Sequence, residues 1–384
     1  MLGNYNITYK TANFTITPRP ATVQADNNSK TYGDDNPTLT ATVAGTVNGD
    51  TLNYSLSTTG LKFSNVGDYP ITIAIGSNPN YNVMTVNGTL HISPKGATVT
   101  ADNKTKTYGQ ANATLTATVV GQVAGGDTIN YSLSTSATQC SDVGTYTITV
   151  TLGSNPNYNV TATNGKLTIT QAHLTVTADK KSKAYDGAPF TAFTGTTTGF
   201  VCNDTVAVVS GSATYTGNAV GATLPGTYTI TPQQGTLSAT NYDFTLFVDG
   251  TLTIGYGTCS GSDPGGVVLP PINADGSSVY KRKAGSTIPV KFKVCDANGN
   301  SISDPNVVFQ TGCCGTITLI NTRRGTVDNV NENGTTDIPD VAFHWTGDHW
   351  QFNMATTNLQ AGDTDTFQIP LKDGSYVTFT VGLK

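Results

Sequence analysis

The chain has 384 residues with a net charge of −5, and only 12% of them are charged, where a soluble globular chain carries roughly 25%. Glu332 is its single glutamate, whereas 69 residues are threonine. With little Glu, Lys or Arg to solvate helix faces, and with abundant Thr, Val, Ile and Tyr to suit pleated strands, a helical bundle, a coiled coil and a helix-rich α/β enzyme are excluded. The absence of a basic block argues against a nucleic-acid partner. No apolar run reaches the roughly 18 residues of a transmembrane helix, and the opening MLGNYNITYK has neither the charged nor the apolar region of a signal peptide.

Self-comparison organises the chain. ATVQADNNSKTYG opens at Ala21 and ATVTADNKTKTYG at Ala97, 76 residues later; LTVTADKKSKAYDG follows at Leu174. Each unit continues through a Gly-Asp-Thr or equivalent step, a Gly-x-Tyr strand (66–73, 143–150, 225–232) and a closing Asn-Tyr segment followed by GTLHI, GKLTI or GTLTI. The first twenty residues match such a closing tail, with Tyr5 in the place of Tyr81. They are therefore expected to be the closing strands of a preceding repeat in a longer protein, which makes a missing export signal uninformative. Repeats 1, 2 and 3 are assigned to 21–96, 97–173 and 174–254.

Within a repeat, apolar residues alternate at period two: Leu115, Ala117 and Val119; Ile129, Tyr131 and Leu133; Tyr146, Ile148 and Val150; Leu167 and Ile169. This predicts five or six short half-buried strands per repeat, separated by Gly, Asn, Asp and Pro turns. Tyr54, Tyr69, Tyr131 and Tyr146 fall in phase with apolar neighbours and are expected in the core. The junctions at 93–96 and 170–173 are so short that an end-to-end rod is expected rather than tethered beads. The stretch 255–271 reads as a Gly/Pro/Ser linker. Residues 272–384 form a different all-β unit, with alternation at Ile288, Val290, Phe292 and Val294 and again at Val377, Phe379 and Val381, and with DANGN (296–300) as a hairpin turn.

The repeat resembles the MBG ("mostly beta, glycine-rich") family. The stretches Lys30 to Gly33 and Lys106 to Gly109, the variant AYDG at 184–187, the Gly-Asp-Thr step and the closing Asn-Tyr segment carry the likeness. It implies tandem β-sandwich modules of a bacterial surface or secreted, adhesin-like protein. The third repeat departs by eight extra residues between its opening residue and its closing Ile, which leaves its loops undetermined. The last unit resembles the PxKF domain through Pro289, Lys291 and Phe292 in AGSTIPVKF and through the later W…W…LKDGSYVTFTV. That likeness implies an immunoglobulin-like β-sandwich ending an exported protein, and neither family supplies a catalytic site.

Six cysteines stand at 140, 202, 259, 295, 313 and 314. Cys140 takes the place of Phe63 and reads as a small buried hydrophobe; Cys202 is alone in its repeat. Cys259, Cys295, Cys313 and Cys314 are disulfide candidates, with Cys295 expected to meet Cys313 or Cys314; connectivity is not readable from sequence. Zinc-type C-x-x-C spacing is missing. Read as a twelve-residue calcium loop, 329–340 places oxygens from Asn329, Asn331, Asn333, Asp337 and Asp340 around Gly334. Against it stand an Asn at position one, an Asp at position twelve and no flanking helices, so an Asn/Gly-rich hairpin loop is the simpler reading. Apart from calcium there, no cofactor is expected. His344 and His349 are five apart, which in a strand puts them on opposite faces. One of Trp345 and Trp350 is expected to fill the sandwich core. Lys291 should face solvent between inward Val290 and Phe292.

No G-x-S-x-G elbow, phosphate loop or H-E-x-x-H occurs, and a lone Glu leaves only aspartates to form a carboxylate pair. The expectation is a non-enzymatic stalk or spacer of an exported cell-surface protein. The alternative is a glycan- or protein-binding module read by 272–384, with a host, matrix or cell-surface partner and no membrane span.

Overall fold

The computed structural model describes residues 3–260, 262, 264–281, 283, 286–310, 315–324, 334 and 340–384. They divide into two compact units, 1–170 and 171–384. The first holds repeats 1 and 2; the second holds repeat 3 and the last domain.

Repeat 1 consists of seven strands rather than five or six: β1 (Arg19–Ala25), β2 (Asn28–Thr31), β3 (Ala41–Ala44), β4 (Tyr54–Thr58), β5 (Gly67–Ile75), β6 (Tyr81–Val86) and β7 (Gly88–Ser93). They form a three-stranded sheet in the order β3-β1-β6 and a four-stranded sheet in the order β2-β7-β5-β4. Most neighbours are antiparallel, but β1 runs parallel to β6 and β2 parallel to β7. Period-two alternation fixes which side chains point inward and is blind to this pairing.

The inward faces meet as a sandwich. Ala21, Val23 and Ala25 of β1, Ile71 of β5 and Leu90 of β7 are buried, while threonines occupy outward positions such as Thr22 and Thr72. Burying each such Val, Leu or Ile contributes roughly 1.5–3 kcal/mol. Close sheet approach explains one glycine of the closing motif. A Cβ on Gly88 would stand 2.7 Å from the Ala25 carbonyl oxygen, and the equivalent Gly165 and Gly250 meet the Ala101 and Ala178 carbonyls in the same way. The turn between the first two strands is braced by one carboxylate: Asp26 accepts hydrogen bonds from the Thr40 and Thr42 hydroxyls at 2.7 and 3.0 Å. Asp102 and Asp179 repeat the brace with Thr116 and Thr118, and with Thr194 and Thr196.

Repeat 2 has the same plan, from Lys95–Ala101 to Gly165–Thr170, and repeat 3 follows it from Ala172–Ala178 to Gly250–Gly255. Part of the extra length of repeat 3 is a 3-10 turn at Val206–Val208 and a bridge between Ser210 and Ser238. Residues 3–18 form no strand in the structure, although their sequence matches β6 and β7. The tyrosines expected in the core, Tyr54, Tyr69, Tyr131 and Tyr146, are half-buried. The hydroxyls of Tyr69 and Tyr146 reach polar partners, the carbonyls of Asn65 and Asp142.

The last domain is a second sandwich of two four-stranded sheets. One contains Gly266–Leu269, Thr287–Val294, Trp350–Ala355 and His344–Trp345; the other contains Val279–Tyr280, Tyr376–Leu383, Asp363–Pro370 and Thr318–Arg324. Ile288, Val290, Phe292 and Val294 are wholly buried against Val377, Phe379 and Val381. Of the two tryptophans Trp350 fills the core, its Nε1 donating to the Ile302 carbonyl at 2.9 Å, and Trp345 packs edge-on at 5.5 Å.

The expected linker at 255–271 needs correction. Tyr256 is buried in the core of the last domain, Cys259 is bonded to Cys295, and Gly266–Leu269 is a strand paired with Thr287–Val294. Gly/Pro/Ser composition signals turns, and here the turns are tied down rather than free.

Candidate functional site: the joint between modules

The K-T-Y-G stretch divides its labour residue by residue. Lys30 is buried at the end of β2, and its ammonium donates to the carbonyls of Asp34 (3.1 Å) and Leu61 (2.7 Å). Burial holds its pKa below the ordinary lysine value, partly opposed by Asp35 and Asp34. The hydroxyl of Tyr69 donates to the Asn65 carbonyl at 2.9 Å. These two side chains pin the loop 61–66, which carries Phe63, Asn65 and Val66 at the trailing end of repeat 1. In repeat 2, Lys106 donates to Gln110, Thr138 and Gln139, burial again depresses its pKa, and Tyr146 donates to Asp142.

Tyr32 points out of its own repeat and into the next. It is wholly buried, its ring meets Tyr158 edge to face at 5.4 Å, and its hydroxyl accepts the Asp127 N–H at 2.9 Å. Gly33 adopts φ +86°, which glycine alone takes without strain. A Cβ there would stand 2.5 Å from Cγ1 of Val123 in repeat 2.

The receiving face of repeat 2 is built around Tyr158 and Asn157. Tyr158 accepts the Val123 N–H at 3.1 Å and donates to the Asp127 carbonyl at 2.7 Å, which holds the Gly-Asp-Thr loop against the closing strand. Asn157, 1% exposed, acts as a latch. Its Oδ1 accepts the Val66 N–H at 2.8 Å, and its Nδ2 donates to Asn65 Oδ1 at 2.8 Å and to Asp127 Oδ2 at 2.7 Å. Each such bond contributes about 1 kcal/mol net, and losing a partner at a buried group costs about 1–3 kcal/mol. The Lys95–Asp34 contact at 3.5 Å is exposed and adds little.

The end of repeat 3 serves a different neighbour. Tyr185 stands where Tyr32 does; its carbonyl accepts the Ala297 N–H at 2.7 Å and its ring packs against the core of the last domain. Leu224 occupies the position of Asn65 and packs on that same core. A polar latch serves a polar receiving face, and an apolar side chain replaces it where the receiver is an apolar core. Tyr256 completes this joint by donating to the Val307 carbonyl at 2.8 Å and accepting the Lys372 N–H at 3.3 Å; burial, with Asp373 adding to it, pushes its pKa far up.

The sites singled out in the sequence fall elsewhere. Asn329, Asn331, Asn333 and Asp337 of the calcium loop lie outside the described residues, as do Cys313 and Cys314. Asp340 is described and already engaged: its Oδ2 accepts the Asn353 N–H at 2.7 Å and lies 3.4 Å from His344 Nδ1. His349 instead pairs with Asp348, which also meets Lys293 at 3.0 Å. Cys295 is joined to Cys259 rather than to Cys313 or Cys314. Cys140 is exposed and disulfide-bonded, not a buried hydrophobe, and Cys202 is disulfide-bonded as well. Lys291 is half-buried between wholly buried Val290 and Phe292. Among the described residues no group of three metal-ligating side chains comes together, and no helix is long and apolar enough to cross a membrane. The last domain also has an apolar recess of about 490 Å³ lined by Ile317, Leu319, Phe352, Met354, Leu359 and Phe367, among others.

Comparison with known proteins adds a family and a set of distant likenesses. The family model described as "MBG domain (YGX type)" matches residues 21–91, 97–168 and 174–253. No curated protein matches the chain. Among solved structures, Sidekick-1 immunoglobulin domains 1–4 align at 10% identity over 93% of this chain and 96% of that one, with a TM-score of 0.21. The protocadherin GammaB4 extracellular domain aligns at 11% over 95% and 67%, with a TM-score of 0.21. Domains 4–9 of the surface layer protein SbsC align at 12% over 91% and 43%, with a TM-score of 0.18. Scores this low support no conclusion about function.

Proposed function

Because the chain belongs to the MBG (YGX type) family, we propose that it is a non-catalytic stalk region of an exported bacterial cell-surface, adhesin-like protein, in which a PxKF-like domain follows three MBG modules. The observation that carries this reading is the joint. Of the residues that define the motif, Tyr32 and Gly33 meet the next repeat directly, and Lys30 pins the loop of its own repeat that the next one grips, rather than lining a reactive cleft. A module that invests its signature in its neighbour is suited to fixed spacing. Disulfides at Cys140, Cys202, Cys259 and Cys295 fit an oxidising, extracellular compartment. Small-angle scattering of the intact chain tests the proposal: an elongated particle is expected, and a compact globule overturns it.

The apolar recess in the last domain favours one second reading, in which 272–384 binds a protein partner through an inserted apolar side chain. Saturable binding to a host or matrix protein that disappears with Phe352→Asp would support it.

A further inference from the structure

Repeat 1 possesses the same receiving face that repeat 2 uses, preformed and exposed. The Tyr81 hydroxyl accepts the Val47 N–H at 3.2 Å, as Tyr158 accepts that of Val123, and donates to Asp50 Oδ2 at 2.8 Å where Tyr158 donates to the Asp127 carbonyl. Asn80 stands where Asn157 does, yet Asn80 is exposed and Asn157 is 1% exposed. Val47 is 38% exposed, and Tyr81 is half-buried where Tyr158 is buried. Immediately upstream, Phe14 and Ile16 are 89% and 82% exposed, although they match Leu90 and Ile92 of β7, which are wholly buried.

We propose that this face and residues 5–17 together form a docking site for one occupant, the body of a further MBG-type repeat. Residues 5–10 and 12–17 add to that body as its last two strands, and its Asn-Val loop seats on Asn80 and Val47. Phe14 and Ile16 then fill the core positions that Leu90 and Ile92 fill in repeat 1. Part of the joint does not transfer. The receiving loop of repeat 1 is a residue shorter, and Asp50 N–H already donates to the Val47 carbonyl at 3.0 Å, so the asparagine latch rather than the tyrosine hydroxyl carries the contact. A second copy of this chain does not fit as occupant: Tyr32 is seated in repeat 2, Tyr185 on the last domain, and Tyr108 is 5% exposed.

The proposal rests on reading the joint as the coupling element, and the experiment separates the two. The full chain is extended by placing a copy of residues 21–79 directly ahead of Asn4, which completes a repeat in register, and amide hydrogen exchange is compared with the unextended chain. Amides of 12–17 and of 45–50 are expected to slow at least tenfold. In the extended chain, Asn80→Ala should return the copied Val66 amide to fast exchange while 12–17 stay slow. Unchanged exchange at 45–50, or an added segment that exchanges fast throughout, overturns the docking site. In the unextended chain Asn157→Ala should release the native Val66 amide. If it does while the extension alters nothing, the docking proposal alone fails; if it does not, the joint reading fails first.

Discussion

The side-chain amide of Asn157 donates to Asn65 Oδ1 at 2.8 Å across 92 residues of sequence. The same amide group accepts from Val66 and donates to Asp127, so its donor and acceptor ends are both engaged at a nearly dry interface.

Replacing Asn157 by Asp keeps the acceptor for Val66 but sets a carboxylate against Asp127 Oδ2 and Asn65 Oδ1. The expected loss is about 2–3 kcal/mol at neutral pH, since buried groups are left facing like charge or an unpaired oxygen. Thermal melting should show the deficit shrinking as pH falls and the new carboxyl is protonated. A deficit independent of pH would mean that packing, not charge, is at fault.

Gly33→Ala should destabilise by at least about 1–2 kcal/mol, because it combines a left-handed φ with a methyl 2.5 Å from Val123 Cγ1. Gly96→Ala is the control: its Cβ would meet nothing within 4 Å and its φ is ordinary. Val123→Ala added to Gly33→Ala removes the two nearest atoms and leaves Cβ at 3.1 Å, so it should recover most of the steric part and leave the backbone part, which chemical denaturation can separate.

Cys259→Ser opens a closed loop with a sequence separation of 36. Chain-entropy reasoning gives a loss of about 3–4 kcal/mol for the last domain. Because Tyr256 and Gly257 are held beside that disulfide, exchange at the Gly257 amide, which donates to the Cys295 carbonyl at 2.8 Å, should rise with the mutation. A melting temperature unchanged by this substitution would show that the bond constrains nothing.

The Thr116 hydroxyl, helped by that of Thr118, holds the Asp102 carboxyl below its ordinary pKa. A carboxyl depressed in the folded state contributes stability above its unfolded pKa and loses it as pH falls through the folded value. Thr116→Val should therefore raise the Asp102 pKa, followed by carboxyl-carbon NMR, and make repeat 2 less sensitive to acid. A pKa that does not move would assign the depression to another group.

How much of this was legible in the sequence varies by residue. The threefold repeat followed from self-comparison, and the inward positions of Ile148, Leu167 and Ile169 from alternation, because burial in a sandwich follows side-chain parity. Strand β2 escaped notice because its inward residue is Lys30, and a polar N-S-K-T run carries no hydrophobic signal. Asn157 was invisible for another reason: in its own repeat it is a turn residue, and its value depends on two atoms in a neighbour. The available clue was the position held by Asn65, Asp142 and Leu224 in the three repeats, since the switch from polar to apolar there marks a change of neighbour. The burial of Tyr256 and the pairing of Cys259, a disulfide candidate, with Cys295 were hidden by turn-rich composition, which reports backbone conformation and says nothing about anchoring.

The parallel pairing of β1 with β6 and of β2 with β7 has a mechanical consequence. From Arg19 opposite Tyr81 to Thr31 opposite Ser93, the first and last segments of the repeat lie side by side and run in the same direction. Tension that enters at Arg19 and leaves at Ser93 pulls these ribbons past each other lengthwise. Their hydrogen bonds are then loaded together in shear, instead of being peeled open one rung at a time from an end. A repeat wired in this way should yield abruptly at a high threshold rather than stretch gradually.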